Sequence, residues 1–281
     1  MLEYFGSTIV LAMAKVSPWL WTIASGSAEG EGGGGAHLPS LVRYLEHYLQ
    51  TGWMEHWVNV IYAFAIGILF VIMARVVYAR REMIPGPFQN AVEMVVEALY
   101  NFFYSILGKD ARRYTPFLGT LFLYVLAMNW IGMIPLGHSP STSLSITLSL
   151  ALLVFLYVQW TGIVRLGIVG YLDHLAGQPR DAVMWALVPL MLPLHIVGEL
   201  AKPMSLALRL FGNITGEDTL IAVFVGMGIA IMPFIGDFVG IPIQTPFYFL
   251  GLLLSTVQAL VFTLLSSIYI LLMLPHEEHE H

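Results

Sequence analysis

The residues that could do chemistry are crowded into one apolar stretch. KPMSLALRLFGNITGEDTL, residues 202–220, places Lys202, Arg209, Glu217 and Asp218 in a run otherwise composed for lipid. A charged side chain at mid-membrane costs at least about 2.5–3.5 kcal/mol on insertion scales, so such residues face protein or water and tend to mark ion pathways. On an ideal helix of about 100° per residue, with Arg209 as zero, Lys202 falls near +20° and Asn213 and His195 near +40°. Glu199 and Glu217 fall near about +80°, Ser205 near −40° and Gly216 near −20°. These share a sector of about 120°, whereas Asp218 stands opposite, at about 180°. The plainest reading is an internal pair, Arg209 with Glu217 or Lys202 with Glu199, that holds a bundle together. The facing segment 247–274 has no acid for Arg209, only Gln258, Ser255, Thr256 and Thr263. The counter-charge is therefore expected on another subunit.

Other candidate chemistry is thin. The chain has no cysteine, which excludes disulfides, thiolate metal sites and cysteine nucleophiles. Glu93 and Glu97 read as a wetted helix face rather than a catalytic pair, and His138 reads as a solvated turn residue. His276, His279 and His281 could take a metal, but a floppy acidic tail is the simpler reading. No cofactor, resident metal or nucleic-acid patch is expected.

These groups need a membrane scaffold. Of 281 residues, 58% are hydrophobic and 11% charged, against about 25% charged in a soluble domain. A crossing helix needs about 20 apolar residues. Crossings are expected at about 57–78, 116–136, 143–164, 184–232 and 247–274. Asn90, Glu93, Glu97 and Asn101 recur every three or four residues, so 87–109 is expected to lie in the interface as an amphipathic surface helix. Arg75, Arg80 and Arg81 end the first crossing, and Lys109, Arg112, Arg113 and Arg165 flank the next pair. The positive-inside rule then puts the N-terminal tail outside and the C-terminus in the cytoplasm. Residues 1–50 form an extracytoplasmic tail with a Gly-rich linker at 26–37, whose first segment lacks the positive start of a cleaved signal. Residues 51–281 form the membrane domain. The run 184–232 would be about 70 Å of helix. Pro189, Pro193 and Pro203 permit bends near its start, and a long tilted helix is expected from Met204 to Ile231. The fold class is an all-α membrane protein without internal repeats.

LAKPMSLALRLFGNITGEDTLI (200–221) closely resembles the signature of subunit a of the F-type ATP synthase, the stator of its membrane motor. MNWIGMIP with STSLSITLSLAL resembles the family's first hairpin, PGPFQNAVE its surface helix, and STVQALVFTLLSSIYI its last helix. The resemblance extends from about residue 50 onward over most of the chain. It implies a non-catalytic subunit whose Arg209 faces a carboxylate on the rotating c-ring, with subunit b as the stalk partner, in a bacterial plasma membrane. Two water-filled half-channels would meet there. The family acid falls on Asp218, with Glu217 beside it, and these would load protons from outside. Gln258 matches the last-helix glutamine near the arginine. Asn213, Gln258 and Ser205 would bind water or the guanidinium, and Glu199 and His195 would line the inner exit. Where some relatives carry a histidine or acid, this chain has Gly251, which excludes a histidine relay at that point. H⁺ is the expected ion, with Na⁺ open because the coupling site lies largely on the c-ring. The competing readings are an independent ion channel or secondary transporter using Arg209 internally, and a structural anchor.

Overall fold

The computed structural model describes residues 54–79, 86–134, 137–177, 182–231 and 243–274. The N-terminal tail, the 26–37 linker, most of the last turn and the C-terminal histidines lie outside the described residues. Six helices carry the described chain: α1 (Met54–Ala79), α2 (Pro87–Leu107), α3 (Ala111–Ile131), α4 (Leu144–Leu175), α5 (Ala182–Ile231) and α6 (Thr245–Leu272). Short 3₁₀ turns at Gly108–Asp110 and Pro140–Thr142 lead into α3 and α4. There is no strand among the described residues.

By length and composition, Trp57–Ala79, Pro87–Ile131, Leu144–Asp173 and Thr245–Leu272 are long and apolar enough to cross a membrane. α5, expected as a further crossing, carries Glu199, Lys202, Arg209, Glu217 and Asp218 in its middle, between two apolar ends. It remains helical through Pro189, Pro193 and Pro203. At about 1.5 Å per residue, its 50 residues outrun any bilayer, so it must tilt or curve to stay with the bundle.

Three expectations change. First, α3 begins at Ala111 rather than at 116, and Pro116 is accommodated within its early turns. Second, the helix expected over 143–164 breaks close to its expected end, at Gly167 (φ 71°, ψ 166°), and a further helical segment, counted within α4, runs on to Leu175. That backbone conformation is essentially confined to glycine. Third, His138 is not a free turn residue. Its ring is half-buried, 2.6 Å from Asn59 Oδ1 of α1 and tilted against Tyr62.

α6 occupies the middle of the bundle, packed by α3, α5, α2 and α4, while α1 touches only α3 and the turn before α4 among its main neighbours. The core runs from Phe103 through Leu118 and Val158 to Leu210, Phe262 and Ile270. α3 packs mainly on α6 and α4 mainly on α5, while α3 and α4 meet through long side chains such as Phe117 and Tyr157. They are joined by the 132–143 turn at one end, and at the other Arg165 donates to Asp110 Oδ1 at 2.5 Å and to the Tyr114 hydroxyl at 3.2 Å. The C-terminal half of α2 buries Phe103 and Leu107, whereas Glu93, Glu97 and Phe88 stay exposed near its start. The division runs along the helix: its C-terminal half docks on the bundle, while its first half is bare, Met94, Val95 and Val96 included.

Candidate functional site

The polar sector of α5 divides along its length into an exposed edge and a buried edge. Ser205, Arg209, Gly212 and Gly216 are exposed. Lys202, Glu199, Asn213 and Glu217 turn toward α4 and α6 and are half-buried or buried. This follows the helix rotation: the second group lies at about +20° to +80° from Arg209 and the first at zero or negative angles. His195 breaks the pattern, being exposed while its Nδ1 lies 2.9 Å from the Leu175 carbonyl.

Two polar clusters flank Arg209. Toward the C-terminal half of α5, Asn213 donates to Gln258 Oε1 at 2.7 Å, and Gln258 is only 3% exposed. One turn further, the Ser255 hydroxyl donates to Glu217 Oε2 at 2.8 Å. The Ser255 carbonyl accepts from Asn129 Nδ2 at 3.2 Å, and Asn129 Oδ1 accepts from Ser141 at 2.8 Å. A continuous buried chain therefore runs from the 132–143 turn through α3 and α6 to Glu217. Gly251 is part of this arrangement. A Cβ there would meet Glu217 Oε1 at 2.4 Å and Met133 Cε at 2.8 Å, so the missing side chain is the space the glutamate occupies. Asp218 is half-buried, accepts no hydrogen bond from a described residue, and interacts electrostatically with Glu217 and with Tyr248 of α6.

The second cluster lies toward the N-terminal half of α5. Lys202 pairs with Glu199 Oε1, and Gln159 of α4 donates to Glu199 Oε2 at 3.1 Å. Tyr171 donates to Gln159 Oε1 at 2.7 Å, and the Lys202 ammonium lies 5.3 Å from the centre of the Tyr269 ring.

Arg209 makes no hydrogen bond or ion pair with any described residue. The Arg209–Glu217 bridge of the plainest reading is not formed: Glu217 turns to Ser255 instead. The anticipated Lys202–Glu199 bridge is formed. Around Arg209 the exposed face is built from Met204, Leu208 and the small residues Ser205, Gly212 and Gly216.

Sequence reasoning missed Asn129, Ser141, Gln159 and Tyr171. A signal was available: Asn129 and Gln159 are the two carboxamides in the uncharged run 114–164. A buried amide must find partners, and each of these found one of the two acid clusters.

With this geometry in place, the comparisons with known proteins are decisive. The ATP synthase A chain family matches residues 59–271. The chain belongs to the ATP synthase subunit a family. It is 47% identical over 247 residues to "ATP synthase subunit a" of Protochlamydia amoebophila, covering 86% of this chain and 91% of that one. It is 36% identical to the Oleidesulfovibrio alaskensis protein of the same name, over 80% of this chain and 90% of that one. The Moorella thermoacetica protein of that name is 37% identical, over 72% and 85% respectively. The chain is thus an integral membrane protein and an Fo subunit of ATP synthase.

Proposed function

We propose that this chain is the stator of the ATP synthase membrane motor, and that its two polar clusters belong to two proton half-channels meeting at Arg209. One observation carries the reading: Arg209 is a charged group with no hydrogen-bond or ion-pair partner among the described residues, on an exposed face of small residues, between two acid clusters. A guanidinium stays charged even at a membrane site, and an unpaired one there needs a counter-charge from elsewhere. A c-ring carboxylate passing across Ser205, Gly212 and Gly216 would supply it.

The roles follow from physics. The Ser141–Asn129–Ser255–Glu217 chain is the polar lining for water that brings protons from outside, with Asp218 as the carrier because no described residue hydrogen-bonds its carboxylate. A protonated c-ring carboxyl can turn through lipid where the anion could not. After nearly a full rotation it meets Arg209, releases its proton toward Glu199 and His195, and is held as an anion. The Gln258 amide nitrogen, buried without a partner among the described residues, is a donor available to water or to that anion. The membrane potential supplies about 2.3 kcal/mol per charge per 100 mV. On this reading the chain has no catalytic site. It works with the c-ring and the subunit b stalk in a bacterial plasma membrane, with the N-terminal tail (1–50) outside and the end of the membrane domain (51–281) in the cytoplasm. H⁺ is the carried ion, and replacing Na⁺ in the assay checks that choice.

The test is proton flux in vesicles containing the whole complex, with subunit content checked on the same samples. Arg209→Lys should assemble and lose ATP-driven pumping, since a lysine can be neutralised when desolvated. Arg209→Ala should assemble and leak protons passively. Full pumping by Arg209→Lys sinks the fixed-charge mechanism. Failure of both variants to assemble supports a structural anchor. Ion flux from the purified chain alone supports an independent channel.

A further inference from the structure

The Gly167 kink serves the second cluster. Tyr171 and Gln159 are twelve residues apart, which in a straight helix is about 18 Å of rise, yet their side chains are hydrogen-bonded at 2.7 Å. Only the break at Gly167 (φ 71°) lets the chain after it turn back. The returned segment is seated at three points. Tyr171 packs against Gly162, where a Cβ would come within 3.3 Å of its ring. Its hydroxyl reaches Gln159, and the Leu175 carbonyl meets His195.

Hydrogen-bond polarity gives this construction its direction. The tyrosine hydroxyl donates to Gln159 Oε1, so the amide nitrogen must face the other way, toward Glu199 Oε2. Glu199 Oε1 is left for Lys202. Both carboxylate oxygens are then engaged by donors, which fixes the orientation of the carboxylate. The groups facing Glu199 are Lys202 on its own helix, Gln159 and Tyr171 on α4, and Tyr269 on α6. Lys202 precedes Arg209 by seven residues, about 10 Å of rise and about 20° of rotation. It would be a second bare cation beside the arginine if Glu199 did not cover it.

We infer that Tyr171 and Gln159 are positioning residues that hold Glu199 on Lys202, and so remove a second positive charge from the inner proton path. The inference rests on the half-channel reading above, in which protons leave Arg209 on the Glu199 side. An uncovered unit charge about 10 Å away, at an effective dielectric of about 20, corresponds to roughly tenfold in the rate of a passing proton.

The experiment uses the complete complex in vesicles and reads passive proton flux after removal of the catalytic sector, at matched subunit content. Glu199→Gln, which bares Lys202, should slow flux by about tenfold. Glu199→Gln combined with Lys202→Met should be faster than Glu199→Gln alone, the part not recovered being Glu199's own contribution to the exit path. Tyr171→Phe and Gln159→Leu should each slow flux by about threefold, from partial loss of one hydrogen bond to a charged pair. Neither should have any effect in the Glu199→Gln/Lys202→Met background, where no carboxylate remains to be positioned. A merely structural tie would slow flux equally in both backgrounds, and that result overturns the inference. So does wild-type flux in both single variants, or failure of both to assemble. Arg209→Ala is run alongside. If it leaves flux unchanged, the half-channel reading falls. If it leaks while Tyr171→Phe and Gln159→Leu behave as wild type, only the positioning role falls.

Discussion

Gly251→Ala is the smallest change that tests whether Glu217 is held where the structure puts it. The new Cβ would lie 2.4 Å from Glu217 Oε1, 2.8 Å from Glu217 Cδ and 2.8 Å from Met133 Cε. Ordinary carbon contacts need about 3.5 Å, so the carboxylate must retreat by about 1 Å. It sits at the end of a flexible side chain and Met133 is compliant, so the fold should survive. The Ser255–Glu217 hydrogen bond, at 2.8 Å, is expected to lengthen beyond hydrogen-bonding range. A hydrogen bond to a charged group is worth about 1.5–3 kcal/mol. The population with Glu217 correctly seated should therefore fall by roughly tenfold to a hundredfold, which sets the ceiling on the loss of pumping. The assay is ATP-driven acidification of vesicles, normalised to subunit content. Glu217→Asp, one methylene shorter, should relieve the collision, and the double variant Gly251→Ala/Glu217→Asp should pump better than Gly251→Ala alone. Wild-type pumping by Gly251→Ala, or a double variant worse than the single one, would refute the claim that this glycine is the seat of the glutamate.

Asp218→Asn should slow coupled proton transport more than Glu217→Gln. A glutamine can still bond to Ser255, whereas an asparagine cannot carry a proton, and the reverse order in a pumping assay would make Glu217 the carrier. Gly167→Ala forces a side chain into a glycine backbone region and should destabilise the chain by about 1–3 kcal/mol; a thermal melt of the detergent-solubilised complex measures it, and an unchanged melt would mean that the kink is not required. The chain has no native cysteine, so single cysteines at Gly33 and Glu278 should react with impermeant reagents from opposite sides of the membrane. Labelling of both from one side overturns the proposed orientation.

The charged motif was legible because intramembrane charge is expensive wherever it occurs, so Arg209 and its neighbours stand out without any fold. Helical rotation alone put Ser205 and Gly216 on one side of the sector and Glu199, Asn213 and Glu217 on the other, and the structure keeps that order. Apolar run lengths likewise marked where helices lie, since length and hydropathy are local properties. Partnerships were another matter. One-dimensional spacing allowed Arg209 to pair with Glu217, and only the packing of α6 against α5 decided that Ser255 takes the glutamate and leaves the arginine without an ion pair among the described residues. Gly251 looked like a missing functional residue in the sequence; in the bundle it is the volume that Glu217 fills. The first straight part of α4 does end close to Arg165, at the Gly167 break, but spacing could not show that the chain turns back there, nor that Arg165 is satisfied by Asp110 and Tyr114, 55 and 51 residues away. Hydrogen bonds between residues far apart in sequence depend on which helices touch. Tertiary packing therefore had to place Asn129 beside Ser255, and Gln159 and Tyr171 beside Glu199.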